Sequence, residues 1–118
     1  MLKSFAGLLT LTTGLLLSSL AYAEDCGFPP QNKPVIPDGT TATRDIMTAA
    51  SESVRSYANV MNQHLNCLQA NRDGYFFNMT REQQQRWVED YNSLVDGLEE
   101  VENALNTQIR TFNAKQES

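Results

Sequence analysis

The sequence is poor in the residue types from which most catalytic and metal sites are built. It holds two cysteines and one histidine in 118 residues. With this single histidine we expect no serine–histidine–aspartate triad, and Cys67 is not a nucleophile if it is in a disulfide. No glycine-rich phosphate loop, multi-ligand zinc pattern or Cys-x-x-Cys redox motif occurs. We therefore predict no enzymatic activity, no catalytic residue, no cofactor and no resident metal ion.

Basic charge and long hydrophobic runs are also scarce. Nine lysines and arginines stand against fourteen aspartates and glutamates, which gives a net charge of -5 at pH 7. Without a basic patch, an acidic chain is not expected to bind nucleic acid or anionic membrane surfaces. Beyond the first 23 residues no apolar run is long enough to cross a bilayer, so we predict no membrane span in the mature protein.

The first 23 residues have the features of a secretory signal peptide. Lys3 supplies a positive start, residues 8–20 are mostly apolar, and residues 21–23 (AYA) form a small-x-small cleavage site. We predict cleavage near Ala23 and a mature protein that is soluble in the periplasm. Lys3 is the only charged residue in this stretch, so its removal takes the net charge from -5 to -6.

The mature chain divides into an extended segment and two helices. Residues 24–42 hold all four prolines, which predicts extended, partly polyproline II structure. Thr43 or Thr41 is the expected N-cap of the next element. From about Thr43, apolar residues recur every three or four positions, which predicts helix 1 over about 43–71. The stretch NRDG should end it, with Gly74 at positive φ.

Helix 2 is predicted over about 80–114. Thr80 and Gln83 match a capping box at its start. Its apolar stripe repeats every seven residues and is interrupted only by Gln108. Gly97 lies inside this helix at some cost in stability, which we interpret as a place where another backbone passes close.

These parts predict an all-α fold. Residues 43–118 should form an antiparallel, coiled-coil-like hairpin of two helices. Since the pair Cys26 and Cys67 reads as a disulfide in an oxidising compartment, the extended segment should fold back along the hairpin and be tied near its loop. Val35 and Ile36 would fill the groove on the way. The apolar stripe of helix 2 is wider than one partner helix covers, which favours a homodimer.

The fold-back should bring five aromatic residues towards the loop end of the hairpin. Two interpretations stay open: these residues cap the core around the disulfide, or they form a patch that binds an unknown protein partner. The residues concerned are Phe28, Tyr75, Phe76, Phe77 and Trp87.

One edge of helix 1 carries residues that also suit a soft metal. Met61, His64 and Cys67 are three residues apart, and their side chains are good ligands for copper(I). A copper carrier is therefore one functional hypothesis, and it requires a free Cys67. Against it, Met61 lies on the core stripe and Cys67 has Cys26 as a disulfide partner.

Three blocks of the sequence resemble a group of small exported proteobacterial proteins of unknown function. They are PVIPDGTTATRDIM (34–47), VRSYANVMNQHLNCL (54–68) and YNSLVDGLEEVENALNTQIRTFNAK (91–115). The resemblance implies a signal peptide, the two cysteines and a helical pair, but no activity. We accordingly expect a periplasmic binding or structural module.

The stretch MTREQQQ (79–85) is similar to the Leu-Thr-x-x-Gln motif of the periplasmic chaperones Spy and CpxP. Met79 stands in place of the leucine, and one copy is present where those proteins typically have two. This resemblance implies a holdase that binds unfolded clients, which is the alternative functional hypothesis.

Overall fold

The computed structural model describes residues 26–117, and within that range helices are the only regular secondary structure. Helix α1 spans Arg44–Tyr75 and helix α2 spans Arg81–Gln116, with a 3₁₀ turn over Phe76–Asn78 between them. This stretch contains no strand, so the predicted all-α helical hairpin is confirmed. Neither helix has the length and apolarity needed to span a membrane. The predicted signal peptide, residues 1–23, lies outside the described residues.

Helix α1 begins as predicted and ends later. The Thr43 hydroxyl accepts a hydrogen bond from the Ile46 N–H at 3.3 Å, which makes Thr43 the N-cap. The helix then continues to Tyr75, so the prediction that it stops near residue 71 is wrong. Gly74 stays helical, because Gly27 is the only residue of the described range with positive φ. Contacts that the last turn of α1 makes with the loop and with α2 outweigh the tendency of the stretch NRDG to end the helix.

Helix α2 begins with the predicted capping box. The Thr80 hydroxyl accepts from the Gln83 N–H at 3.2 Å, and the Gln83 side chain accepts from the Thr80 N–H at 3.0 Å. These two bonds satisfy donors that would otherwise be left without partners at the helix start.

The core lies between the two helices in two apolar clusters. One joins the first half of α1 to the second half of α2, and the other joins the middle of α1 to the first half of α2, so the helices run antiparallel. The clusters consist of Ala50, Val54, Val101 and Leu105, and of Met61, Leu65 and Leu98. The coiled-coil-like character of the packing stays a prediction.

Residues 26–42 are extended apart from a turn at 39–41, and they lie against the hairpin. A disulfide joins Cys26 to Cys67 with a Cα–Cα distance of 5.7 Å, which confirms the predicted pairing. Further along, Ile36 packs against the first core cluster. Val35, by contrast, is 89% exposed, so the prediction that both side chains fill the groove is wrong. Neighbouring residues of an extended chain point to opposite sides, and only one of the two can face the core.

The place where two backbones approach closely is Gly39, not Gly97. A methyl group added at Gly97 would meet no atom within 4 Å, so that prediction is wrong. At buried Gly39 the same methyl group would collide with the backbone carbonyl of Gln108 and lie 3.0 Å from the Phe112 nitrogen. The Gln108 side chain accepts the Gly39 N–H at 2.9 Å. Gln108 therefore interrupts the apolar stripe because it binds the extended segment.

Candidate interaction surface

Four rings form a continuous row at the loop end of the hairpin. The Phe76 and Trp87 rings meet edge to face with centroids 6.2 Å apart, and Trp87 stacks on Tyr91 at 5.0 Å with the planes 14° apart. Phe77 adds a further edge contact to Phe76 at 6.2 Å. The 3₁₀ turn supplies the two phenylalanines, and α2 supplies Trp87 and Tyr91 one turn apart. We call these four residues the aromatic row.

Arg72, in the last turn of α1, joins this row to the helix. Its guanidinium carbon lies 4.4 Å from the Phe76 ring centroid and 5.4 Å from that of Trp87. Contacts of this geometry are worth about 0.5–2 kcal/mol. The Gln84 side chain also donates to the Phe76 carbonyl at 2.7 Å. The turn is thus fixed from both helices, which is why α1 continues past its local stop signal.

The members of the row differ sharply in exposure. Phe76, Trp87 and Tyr91 are half-buried, so they cap the end of the core. Phe77 is 91% exposed although its backbone belongs to the fixed turn. The interpretation as a cap of the core therefore fits the three half-buried residues, and the interpretation as a binding patch fits Phe77. The binding role itself stays a prediction.

Phe28 and Tyr75 are not part of the aromatic row. Phe28 is 93% exposed and lines a groove of about 270 Å³ with Val60, His64 and Cys67. Tyr75 is 41% exposed. Neither has a ring contact with another aromatic residue among residues 26–117. Cys67 lies about two turns before the end of α1, so the disulfide holds Phe28 below the loop rather than at it.

The only histidine supports the disulfide. His64 is 9% exposed, and its Nδ1–H donates to the Cys26 carbonyl at 3.1 Å. The Asn71 amide donates to the Cys26 sulfur at 3.2 Å. Met61 is buried in the second core cluster, and the Cys67 sulfur is in the disulfide. Residues 26–117 contain no group of three or more His, Cys, Asp or Glu side chains placed to hold a metal ion.

Charge also separates the loop end from the stretch of α2 that follows it. Residues 72–87 hold three arginines and two carboxylates, a net charge of +1, whereas residues 88–109 hold six carboxylates and no basic residue. The arginines are Arg72, Arg81 and Arg86. An acidic partner therefore meets less repulsion at the loop end than along the middle of α2.

Sequence reasoning missed two residues of this surface. Tyr91 could have been found, because Trp87 and Tyr91 are four residues apart and lie on one side of a helix. Arg72 gives no such signal, since its stacking depends on where the 3₁₀ turn places Phe76. No model of a protein family matches the chain, and no curated protein or solved structure matches it either.

Proposed function

We propose that the mature chain is a periplasmic binding module without catalytic activity, which uses its loop end to bind another exported protein. The partner is an apolar segment flanked by carboxylates. The observation that supports this most is Phe77, a large apolar side chain almost fully exposed on a turn that both helices hold in place.

The fixed turn makes Phe77 suited to binding. Ordering a flexible side chain or loop on association costs free energy, about 0.5–1.5 kcal/mol for each immobilised side chain. Here the backbone is already held by Arg72 and Gln84, and Phe76 supports one edge of the ring. An aromatic side chain on a preorganised support is the kind of residue that dominates binding energy at protein interfaces.

The charge of the loop end supports the choice of partner. Arg81 and Arg86 are exposed on the first turns of α2, on the same end of the hairpin as Phe77. Arginine binds carboxylates with paired hydrogen bonds. A segment with apolar residues between aspartates or glutamates would thus match both the ring and its surroundings.

The chain carries its own reporter for this test, because Trp87 is its only tryptophan. Trp87 fluorescence would be followed while tryptophan-free peptides with two phenylalanines and flanking aspartates are added to the oxidised mature chain. We expect saturable binding that is weakened about tenfold by Phe77→Ala. Val35→Ala is the matched control, since Val35 is a similarly exposed apolar residue away from the loop end.

Two results would count against the proposal. One is an absence of any saturable change with the aspartate peptides at millimolar concentration. The other is an equal loss of affinity in Phe77→Ala and Val35→Ala. Peptides with lysine in place of aspartate test the charge argument separately, and they should bind more weakly.

A holdase is the second candidate function, supported by a different observation. Exposed apolar side chains occur at several separate places, among them Phe28, Val35, Val60 and Phe77. A surface of this kind suits varied unfolded clients better than one defined partner. The mature chain would then suppress aggregation of a model client at a near-equal molar ratio. Suppression that survives Phe77→Ala would favour the holdase over the loop-end binding module.

A further inference from the structure

Within residues 26–117 the extended segment covers one face of the hairpin and leaves the opposite face open. On α2 the covered side is marked by Glu100, which pairs with Lys33 at 3.8 Å, and by Gln108, which binds Gly39. Away from this side lies a groove of about 200 Å³ that only residues of α1 and α2 line, including Ser51 and Ile109. We call this side of the hairpin the open face.

The open face carries an incomplete apolar stripe. Val88, Val95 and Ile109 lie on one line of α2, and Glu102 lies on the same line between Val95 and Ile109. Val88 is 39% exposed, and Val95 and Ile109 are half-buried. One partner helix thus covers this line only in part, which leaves apolar surface on which a further helix can pack.

Two opposite charges lie on the open face at the same height along the hairpin. Arg55 follows Val54 on α1, Glu102 follows Val101 on α2, and the two valines share one core cluster. Both charged side chains are exposed, and neither makes an ion pair in the part of the chain that the structure describes. The face therefore offers a positive charge on one helix and a negative charge on the other.

We infer that a second copy of this chain packs on the open face, with its two-fold axis parallel to the helices. In this arrangement α1 of one copy lies against α2 of the other at the same height and in the opposite direction. Arg55 of each copy then lies close to Glu102 of the other, so two ion pairs form by symmetry. A two-fold axis across the helices at this height would instead bring Arg55 to Arg55 and Glu102 to Glu102, which is repulsive.

Charged residues at the two ends of the open face also bear on the orientation of the two-fold axis. Those at the loop end favour the parallel axis, and those at the other end favour neither orientation. Towards the loop, Asp73 and Arg81 would meet across the two copies as opposite charges. At the other end Arg44 and Arg110 would approach one another, but the Arg110 guanidinium is turned to the Thr107 hydroxyl at 3.4 Å, away from this face. The central pairs therefore decide the orientation.

The size of the open face is sufficient for a stable dimer. From Val88 to Ile109 it is about 30 Å long, and two helices side by side are about 20 Å wide. That surface is of the same order as the roughly 800 Å² that each partner contributes to a typical stable interface. The arrangement would also place both loop ends at the same end of the dimer. A partner with two apolar segments would then bind both copies of Phe77, a consequence that rests on the proposed function.

The test is sedimentation equilibrium of the oxidised mature chain from micromolar to submillimolar concentration. We expect a dimer, and we expect Glu102→Arg to raise its dissociation constant about tenfold or more, because each dimer gains two like-charge contacts. Arg55→Glu should do the same, and the two changes combined should restore most of the affinity. Glu89→Arg is the matched control, since Glu89 follows Val88 and is rotated off the open face.

Three results would overturn the inference. They are a monomer at every concentration, a dimer that neither single charge reversal weakens, and a combined variant no better than the single ones. Circular dichroism would show that each variant keeps its helices, which is expected because all three positions are exposed. A monomer that still binds the aspartate peptides through Phe77 would remove the dimer and leave the proposed function standing.

Discussion

At the scale of single residues, small and polar side chains fix the extended segment to the helices. Gly39 allows the segment to touch the backbone of α2, and Gln108 accepts its N–H. On the next residue, the Thr40 carbonyl accepts a hydrogen bond from Lys115. These contacts set where the segment ends and where α1 begins, so individual substitutions here should have unequal effects.

Gly39 and Gly97 should respond to alanine in opposite directions. Gly39→Ala should lower the free energy of unfolding by about 1–3 kcal/mol, because the new methyl group overlaps the Gln108 carbonyl. Gly97→Ala should raise it by about 0.5–1 kcal/mol, since Gly97 is inside a helix with open space around it. Urea unfolding followed by circular dichroism measures both. Equal effects of the two substitutions would contradict the close approach at Gly39.

Asp38 should make stability depend on acid pH. Hydrogen bonds from the Thr40 hydroxyl and N–H, with the positive charge of Lys115, hold the pKa of the Asp38 carboxyl below its ordinary value of 3.8. The folded state therefore binds this proton less readily than the unfolded state. The contribution is fully present above the ordinary pKa and is lost as the pH falls through the lowered one.

The measurement is the urea midpoint at pH 7 and at pH 3 for the natural chain and for Asp38→Asn. Asparagine cannot titrate, so the variant should lose less stability between the two pH values than the natural chain does. An identical loss in both proteins would show that Asp38 does not contribute to the acid dependence.

At the scale of elements, local signals set the starts of the helices and long-range contacts set the end of α1. The sequence predicts Thr80 as one N-cap and narrows the other to Thr43 or Thr41, of which the structure has Thr43, because a cap depends on residues three positions apart. The end of α1 at Tyr75 was not predicted, because it depends on Arg72 stacking over rings that the following turn and α2 supply. A prediction that uses only the residues around Gly74 cannot take those contacts into account.

The capping box of α2 should be worth about as much as a typical cap. Thr80→Ala should lower the free energy of unfolding by about 1 kcal/mol, because the Gln83 N–H loses its acceptor. Thr80→Ser keeps the hydroxyl and should cost only a few tenths of that amount. Urea unfolding distinguishes the two. A loss as large in the serine variant would mean that the methyl group of Thr80, not its hydroxyl, matters.

The candidate site shows the same division between local and long-range information. Phe76, Phe77 and Trp87 were predicted to meet because the loop joins them closely in sequence. Phe28 was placed with them because it is close to Cys26, but the disulfide partner Cys67 lies below the loop and keeps Phe28 apart from the row. A disulfide pairing can be predicted from two cysteines, whereas the exact height at which it holds a neighbouring side chain cannot.

At the scale of the whole molecule, one covalent bond closes the structure. The Cys26–Cys67 disulfide joins residues 41 positions apart and fixes one end of the extended segment, while α1 fixes the other. The segment contributes Ile36 to a core that is otherwise made by two helices alone. Small domains of this size often depend on such a crosslink, because their apolar core is limited.

Removing the disulfide should therefore lower the free energy of unfolding more than any of the substitutions above. The paired substitution Cys26→Ser and Cys67→Ser should lower the free energy of unfolding by about 4 kcal/mol, as expected for closing a loop of this length. Urea unfolding of the variant would be compared with that of the natural chain in a thiol reductant. The two proteins should have the same free energy of unfolding. A loss below about 1 kcal/mol would mean that the helices alone hold the fold.

The central claim is that the loop end is the binding surface, and nuclear magnetic resonance tests it most directly. The ¹H–¹⁵N spectrum of the oxidised mature chain would be recorded with and without the phenylalanine–aspartate peptide. We predict that the shifted signals cluster at residues 72–87 and include the indole N–H of Trp87. Shifts centred instead on the groove beside Val60 and Pro34, or no shifts at saturating peptide, would contradict the account.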